Sequence, residues 1–351
     1  MKSLLFYPHL SSFVRADIDI LGRIGTLRCL DLQQSKTKAA YLKSMLCIPW
    51  YILGLSKHTL CLTWFADYHA AVVVFWARFL GRKSVVFIGG YDAVHYPEFA
   101  YGIYHSPLRR FCGVYALKHA DLIIANHGAL LSSDNRYYRP KGHPEGIYRM
   151  IPMLKTKAMV VHNCISTPPP DVISQARDKC VLTVGSTPRL QDFINKGFDL
   201  MLKAAAHFTD WSFIFVGIDS KWNEQLEQAY QLSTYHNVKV YHTTEHADVL
   251  ALMNDADIYA QPSISEGMPN ALLEAMLYGC KPLGSNVAGI PTLIGNWGKI
   301  IHHRSSGELI TALEQLMELK VNRNAMSKDT AERFSVARRE QGLREALHKL
   351  R

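Results

Sequence analysis

DIYAQPSISEGMPNALLEAMLYGCKPLGSNVAGIP, Asp257 to Pro291, reads as strand, loop, helix and strand. The first run, DIYAQPS, is β-rich and ends its strand at Gln261; KPLGS, Lys281 to Ser285, is the next. Between them Leu272, Leu273, Met276 and Leu277 fall on the packed faces of a helix over Asn270 to Tyr278. Strand, helix and strand of this size form one βαβ unit around a buried parallel sheet.

The same alternation extends outward from it. Upstream lie VLTVG (181–185), SFIFVG (212–217) and NVKVYH (237–242), separated by helical patterns over Phe198–Phe208, Asn223–Ser233 and Ala247–Asn254. The first half repeats it with LLFY (4–7), TLRCLDL (26–32), LCLTW (60–64), SVVFIGG (84–90), DLIIAN (121–126) and MVVHN (159–163). Helices are expected there over Ala40–Leu46, Tyr68–Leu80 and Pro107–His119. The expected fold class is α/β, with two doubly wound Rossmann-like domains facing across a cleft. Residues 1–165 and 171–321 form the domains, and STPPPD, Ser166 to Asp171, links them because three prolines forbid a helix. A helical tail over 322–351 is expected to cross back to the first domain.

A chain of 351 residues suits two domains. With 48% hydrophobic and 20% charged residues, disorder, collagen and coiled coil are excluded. The longest apolar run, Met45 to Leu55, has 11 residues, short of the roughly 20 that span a bilayer. MKSLLFYPHLSSFVR does not read as a signal peptide, so a cytoplasmic location is expected. The seven cysteines contain no CxxC pair, which argues against a disulfide framework and a zinc cage.

Charge divides unevenly. Residues 1–165 hold 20 Lys+Arg against 9 Asp+Glu, net +11, and residues 166–351 hold 19 against 21, net −2. The charge reads either as a face for an anionic partner, a membrane surface or a lipid diphosphate, or as a merely soluble basic face; no RNP-like, zinc-finger or basic-zipper pattern supports nucleic acid. CIPWYILGL, Cys47 to Leu55, and VVVFWARFLGRK, Val72 to Lys83, are either buried helices or stretches that place Trp50, Tyr51, Trp76 and Phe79 at headgroup depth, peripherally on the inner face of the membrane. Arg109 and Arg110 add to this basic face.

Around Pro269, taken as the first helical residue, the backbone of Met268, Asn270 and Ala271 offers N–H groups above the strand ends, a geometry that binds anions and sugar hydroxyls. Glu266 and Glu274, eight positions apart, add two carboxylates at that junction. Taken singly, each is also readable as a surface glutamate.

The segment resembles the sugar-nucleotide site of the family 4 (group 1) retaining glycosyltransferases of GT-B fold. The match is Glu, seven residues, Glu, inside PSxxEGxPNALLEAMxxGxPxxxS, with Lys281 before Pro282 and AGIP following. VGSTPRLQDFINKGFDLMLKAA, Val181 to Ala206, adds Gly185, Arg189, Lys196 and Gly197; Ser186 stands where the family usually has Gly-Arg. The resemblance implies that Arg189 and Lys196 hold a departing nucleoside diphosphate, which needs fixed cations. It implies that Glu274 binds the ribose hydroxyls, that Glu266 and the backbone from Gly267 to Asn270 hold the sugar, and that Gly217 lies near the base. In the first domain it places FIGGYDAVHYPEFAYG, Phe87 to Gly102, at the acceptor side. There Gly89 replaces the usual His, Gly90 follows it, His95 is the imidazole within reach, and Asp92 either takes a sugar hydroxyl or caps a turn. Asp17 is a weaker candidate.

The expected function is transfer of a sugar from a UDP- or GDP-linked donor to a saccharide or lipid-linked saccharide in cell-surface polysaccharide biosynthesis. A hexosyl group would move with retention, with neither metal nor cofactor, the nucleotide sugar being a substrate. The alternatives are a non-catalytic GT-B protein that binds sugar nucleotide or glycan, and an epimerase or phosphorylase on the same fold.

Overall fold

Runs of branched and aromatic residues too short for helices alternate with amphipathic stretches, and the chain winds accordingly. The computed structural model describes residues 1–34, 37–242 and 244–350. Two units emerge: Met1–Ser133, Pro144–Ser166 and Phe334–Arg351 form the first, and Asp134–His143 with Thr167–Arg333 the second.

In the first unit the elements are β1 (Lys2–Tyr7), α1 (Ser12–Ile24), β2 (Thr26–Asp31), α2 (Lys38–Leu53), β3 (Thr59–Trp64), α3 (Tyr68–Phe79), β4 (Ser84–Ile88), α4 (Pro107–His119) and β5 (Leu122–Ala125). A hairpin of β6 (Ser133–Asp134) and β7 (Pro144–Glu145) brackets the excursion over 134–143; α5 (Ile147–Met150) and β8 (Ala158–Val160) follow. The sheet runs β2-β1-β3-β4-β5-β8, all parallel. Right-handed crossovers put α1 on one face and α2, α3 and α4 side by side on the other. The strands alternate to match. Leu5, Leu62, Trp64 and Phe87 face α1, whereas Leu4, Phe6 and Cys61 pack under α2 and α3.

In the second unit β9 (Asp178–Thr187), α6 (Asp192–Asn195), α7 (Phe198–His207), β10 (Ser212–Ile218), α8 (Asn223–Tyr230), β11 (Val238–Tyr241), α9 (His246–Asp255), β12 (Ala256–Gln261), α10 (Asn270–Leu277), β13 (Lys281–Ser285), α11 (Ile290–Ile294), β14 (Lys299–Ile301), α12 (Ser306–Glu318) and α13 (Arg323–Arg333) follow in turn. Its sheet order, β11-β10-β9-β12-β13-β14, is also wholly parallel and reverses direction between β9 and β12. Ligands of such sheets gather beyond the strand carboxyl ends at that switch point. The last helix, α14 (Val336–His348), belongs to the first unit.

Three elements differ from the sequence reading. The helix expected over Ala40–Leu46 runs to Leu53, straight through Pro49. Buried Ile48 and Ile52 hold it to the core, and Arg82 donates Nη2 to the carbonyl of Leu55 at 2.6 Å and of Leu53 at 3.3 Å, satisfying its end. The tail breaks at Phe334, which is buried, and Ser335, whose Oγ caps α14. Pro269 is the residue before the helix, with ψ 117°, rather than its first residue.

Asp17 is also corrected. It is buried under α14, where Arg339 holds it at 2.5 Å and 2.8 Å and the Trp64 indole at 3.0 Å, so it meets no ligand.

Candidate functional site

The second unit gathers most of the expected residues at its switch point. Lys196 ends α6, and Gly197 follows at φ +81°, where a Cβ would lie 2.5 Å from the Pro262 carbonyl. Only glycine lets α7 begin so close to the β12–α10 loop. A Cβ on Gly185 would lie 3.1 Å from the Lys196 Cγ, so the lysine stem crosses β9 over the glycine. Gly217, at φ +93°, likewise sits tight against the Gly185 carbonyl.

From there the Lys196 ammonium donates to Glu266 Oε1 at 2.7 Å, with side-chain exposures of 21% and 12%. Behind the pair runs a buried relay: the Tyr259 hydroxyl donates to Gln261 Oε1 at 2.7 Å, and Gln261 Nε2 donates to Ser263 Oγ at 2.7 Å and Glu266 Oε1 at 3.2 Å. The relay fixes the carboxylate, and the carboxylate fixes the ammonium.

The loop itself is held from outside its own sequence. Asn135 Nδ2 donates to the Ile264 carbonyl at 2.7 Å and the Tyr137 hydroxyl to that of Pro262 at 3.0 Å. The Ile264 amide donates to the Asn195 carbonyl at 2.8 Å, and the Gly289 amide to that of Gly267 at 2.9 Å. Met268 is buried, and Asn270 and Ala271 open the first turn of α10.

Glu274 lies one turn along α10. Thr167 Oγ1 and His246 Nε2 both donate to its Oε1, each at 2.9 Å. Arg189 pairs with Asp192 at 2.6 Å and is one-third exposed. Lys281 is structural: buried, it bridges Asp257 at 2.8 Å and the Leu316 carbonyl at 2.7 Å, while Arg323 pairs with the other oxygen of Asp257.

In the first unit Asp92 is fully buried. It accepts from the Ala66 amide at 2.6 Å and the Gly89 amide at 2.9 Å. Burial pushes its carboxyl up to about 6, against the pull of those donors. Instead of a carboxylate offered to a sugar hydroxyl, the structure has a clasp that shapes the Gly89–Gly90 turn, Gly90 standing at φ 141°. His95 is half-buried near the Tyr104 ring, and its pKa is lowered by burial first and then by His105 and Arg110.

Sequence reasoning missed Asn135, Tyr137, Thr167, His246 and Gln261, because each acts across the fold rather than within a motif. It also missed two buried polar groups beside the pair. Asn195 has neither amide atom partnered, and the Ser265 hydroxyl is unpartnered too. Among the described residues no group of three His, Cys, Asp or Glu is placed to hold a metal ion.

The two parallel sheets and their helices define a GT-B protein. Over all of this chain and 99% of the other, the structure matches sucrose-phosphate synthase from Thermosynechococcus elongatus with TM-score 0.73 at 13% identity. Over 99% of this chain and 100% of the other it matches Anabaena Alr3699/HepE in complex with UDP and glucose, TM-score 0.72 at 16% identity. Residues 176–333 match the family model "Glycosyl transferases group 1". D-inositol 3-phosphate glycosyltransferase of Corynebacterium aurimucosum is 25% identical over 259 residues, 65% of this chain and 57% of that one. The chain spans about half the length of the curated relatives it matches.

Proposed function

We propose that the protein is a retaining hexosyltransferase that moves a sugar from a UDP- or GDP-linked donor to a hydroxyl of a saccharide or lipid-linked saccharide, in the building of cell-surface polysaccharide. The observation that carries this reading is the Lys196–Glu266 pair, locked at 2.7 Å across Gly185, with Glu274 one turn into α10, the helix that follows the Glu266 loop. When the bond from C1 of the sugar to the diphosphate breaks, negative charge collects on the phosphate oxygens. A held ammonium stabilises that charge without having to reorganise. Lys196 supplies it, Arg189 adds a second cation at the same strand end, and these take the part a metal would otherwise play.

Glu274 Oε2 accepts from the ribose hydroxyls. Glu266 and the leading amides of α10 meet the sugar, with the Asn195 amide and Ser265 hydroxyl beside them as further donors and acceptors. The acceptor hydroxyl attacks C1 from the face the diphosphate leaves, and its proton passes to a phosphate oxygen, so no protein nucleophile takes part. In the first unit Asp92 acts through the Gly89–Gly90 backbone, and His95 lies on the acceptor side. The UDP and glucose bound by the HepE neighbour support a nucleotide-sugar donor.

The test is a panel of nucleotide sugars incubated with the protein and with Lys196→Ala and Glu274→Ala. Donor turnover in the parent, lost in both variants, supports the enzyme; tight binding without turnover toward any acceptor identifies a sugar-nucleotide binding protein instead.

A further inference from the structure

Helices α2, α3 and α4 form one layer on the first unit's sheet, and none of the three contains a carboxylate. They contain Lys38, Lys43, Arg78, Arg109, Arg110 and Lys118. All are exposed except Arg109, which is drawn onto Asp67 at 3.1 Å.

Among these cations each helix turns an apolar stripe to solvent. On α2, Leu46 and Trp50 are 68% and 75% exposed; on α3, Phe79 is 70% exposed and stacks with Phe75; on α4, Leu108 and Phe111 are 64% and 69% exposed. The α2 and α3 stripes share an end, because Arg82 ties the Leu53 and Leu55 carbonyls to that of Leu80. Soluble proteins rarely leave aromatic surface of this extent uncovered.

Charge decides the occupant. A second copy of this face would bring like charge onto like charge, with no carboxylate on any of the three helices to neutralise it. Aromatic and leucine side chains set among lysines and arginines are the composition that lies in the headgroup boundary of an anionic bilayer. Among the described residues no helix is long and apolar enough to cross a membrane, so the contact is with its surface.

We propose that the α2–α4 face docks the protein on an anionic phospholipid surface, with Trp50, Phe79 and Phe111 entering the headgroup region and the flanking cations meeting lipid phosphates. Beside α4 a cavity of about 630 Å³ continues the same chemistry. Arg110, Lys118 and Phe111 line it, and so does Tyr104, whose buried hydroxyl has no hydrogen-bond partner. It suits one lipid phosphate and the start of its chain. The inference does not depend on the transfer chemistry proposed above.

The test is flotation of the full chain with vesicles of phosphatidylglycerol and phosphatidylcholine in equal parts, against phosphatidylcholine alone. The chain is expected to float with the mixed vesicles, to stay behind with the neutral ones, and to be released by salt. The triple variant Trp50→Ser, Phe79→Ser, Phe111→Ser should partition at least about tenfold more weakly with an unchanged melting temperature. Lys43→Glu, Arg78→Glu, Lys118→Glu should abolish the preference for anionic lipid. Equal partition into both vesicle types, or undiminished binding by the triple variant, overturns the proposal. So does a parent dimer in sedimentation that the triple variant converts to monomer, since a second copy would then cover the face.

Discussion

Replacing Lys196 by Met removes the ammonium and keeps most of the stem that covers Gly185, so it isolates the charge. The structure sets the size of the effect. The ammonium is held 2.7 Å from Glu266 and is about four-fifths buried, and the carboxylate is itself oriented by Gln261. A charge-assisted contact of this kind to a diphosphate contributes about 1.5–3 kcal/mol to binding. For charge that develops only as the bond breaks, loss of one fixed donor lowers kcat about 10²–10³-fold. The fold should survive, because Gln261 still donates to Glu266 at 3.2 Å, and the cost to stability is about 1–2 kcal/mol, seen as a few degrees in Tm. The assay is release of nucleoside diphosphate at saturating donor, with circular dichroism as the control for folding. A variant that keeps kcat within about threefold, where about a hundredfold loss is expected, refutes the assignment of Lys196 to the leaving group.

Glu274→Ala should weaken nucleoside diphosphate binding about tenfold or more by calorimetry, and should bind the 2′-deoxy nucleotide as well as the ribonucleotide, which the parent should not. Asp92→Asn puts an amide N–H₂ against one of two backbone donors and should cost about 1–3 kcal/mol near pH 7. The Asp92 carboxyl sits at about 6 when folded against 3.8 when unfolded, so its ionisation opposes folding. Its share of stability is therefore present below pH 3.8 and lost as pH rises toward about 6, a slope that Tm against pH should show for the parent and not for the variant. Arg339→Ala strands the buried Asp17 carboxylate and should destabilise by about 3–5 kcal/mol in urea unfolding; Arg339→Met with Asp17→Leu should recover much of that loss.

The sequence shows the sheets plainly because each strand is a short branched run between helices, and the doubly wound order follows from right-handed crossovers. It shows Glu266 and Glu274 because their spacing fixes their places on one strand–loop–helix, and Gly185 and Lys196 because they stand near the end of another strand, β9, and at the end of the short helix that follows it. It does not show what acts at a distance. Thr167 and His246 reach Glu274 from 107 and 28 residues away, and Asn135 reaches Ile264 across 129. Asp92 illustrates a different gap: the residue type suits a ligand contact and a turn clasp equally, and only its burial against two amides separates them. Pro49 misled because a proline inside a helix is normally a stop, and the packing of Ile48 and Ile52 overrides it.

The chain passes from one unit to the other four times, at 133/134, 143/144, 166/167 and 333/334, so neither unit is a single stretch of polypeptide. A fragment cut at 167–333 would leave behind Asn135 and Tyr137, the two residues that pin Pro262 and Ile264, and with them the rigidity of the Glu266 loop. A fragment ending at 166 would strand Asp17 without Arg339. Any chimaera that exchanges the second unit between relatives must therefore carry the ten-residue excursion over 134–143 with it, and leave α14 with the first.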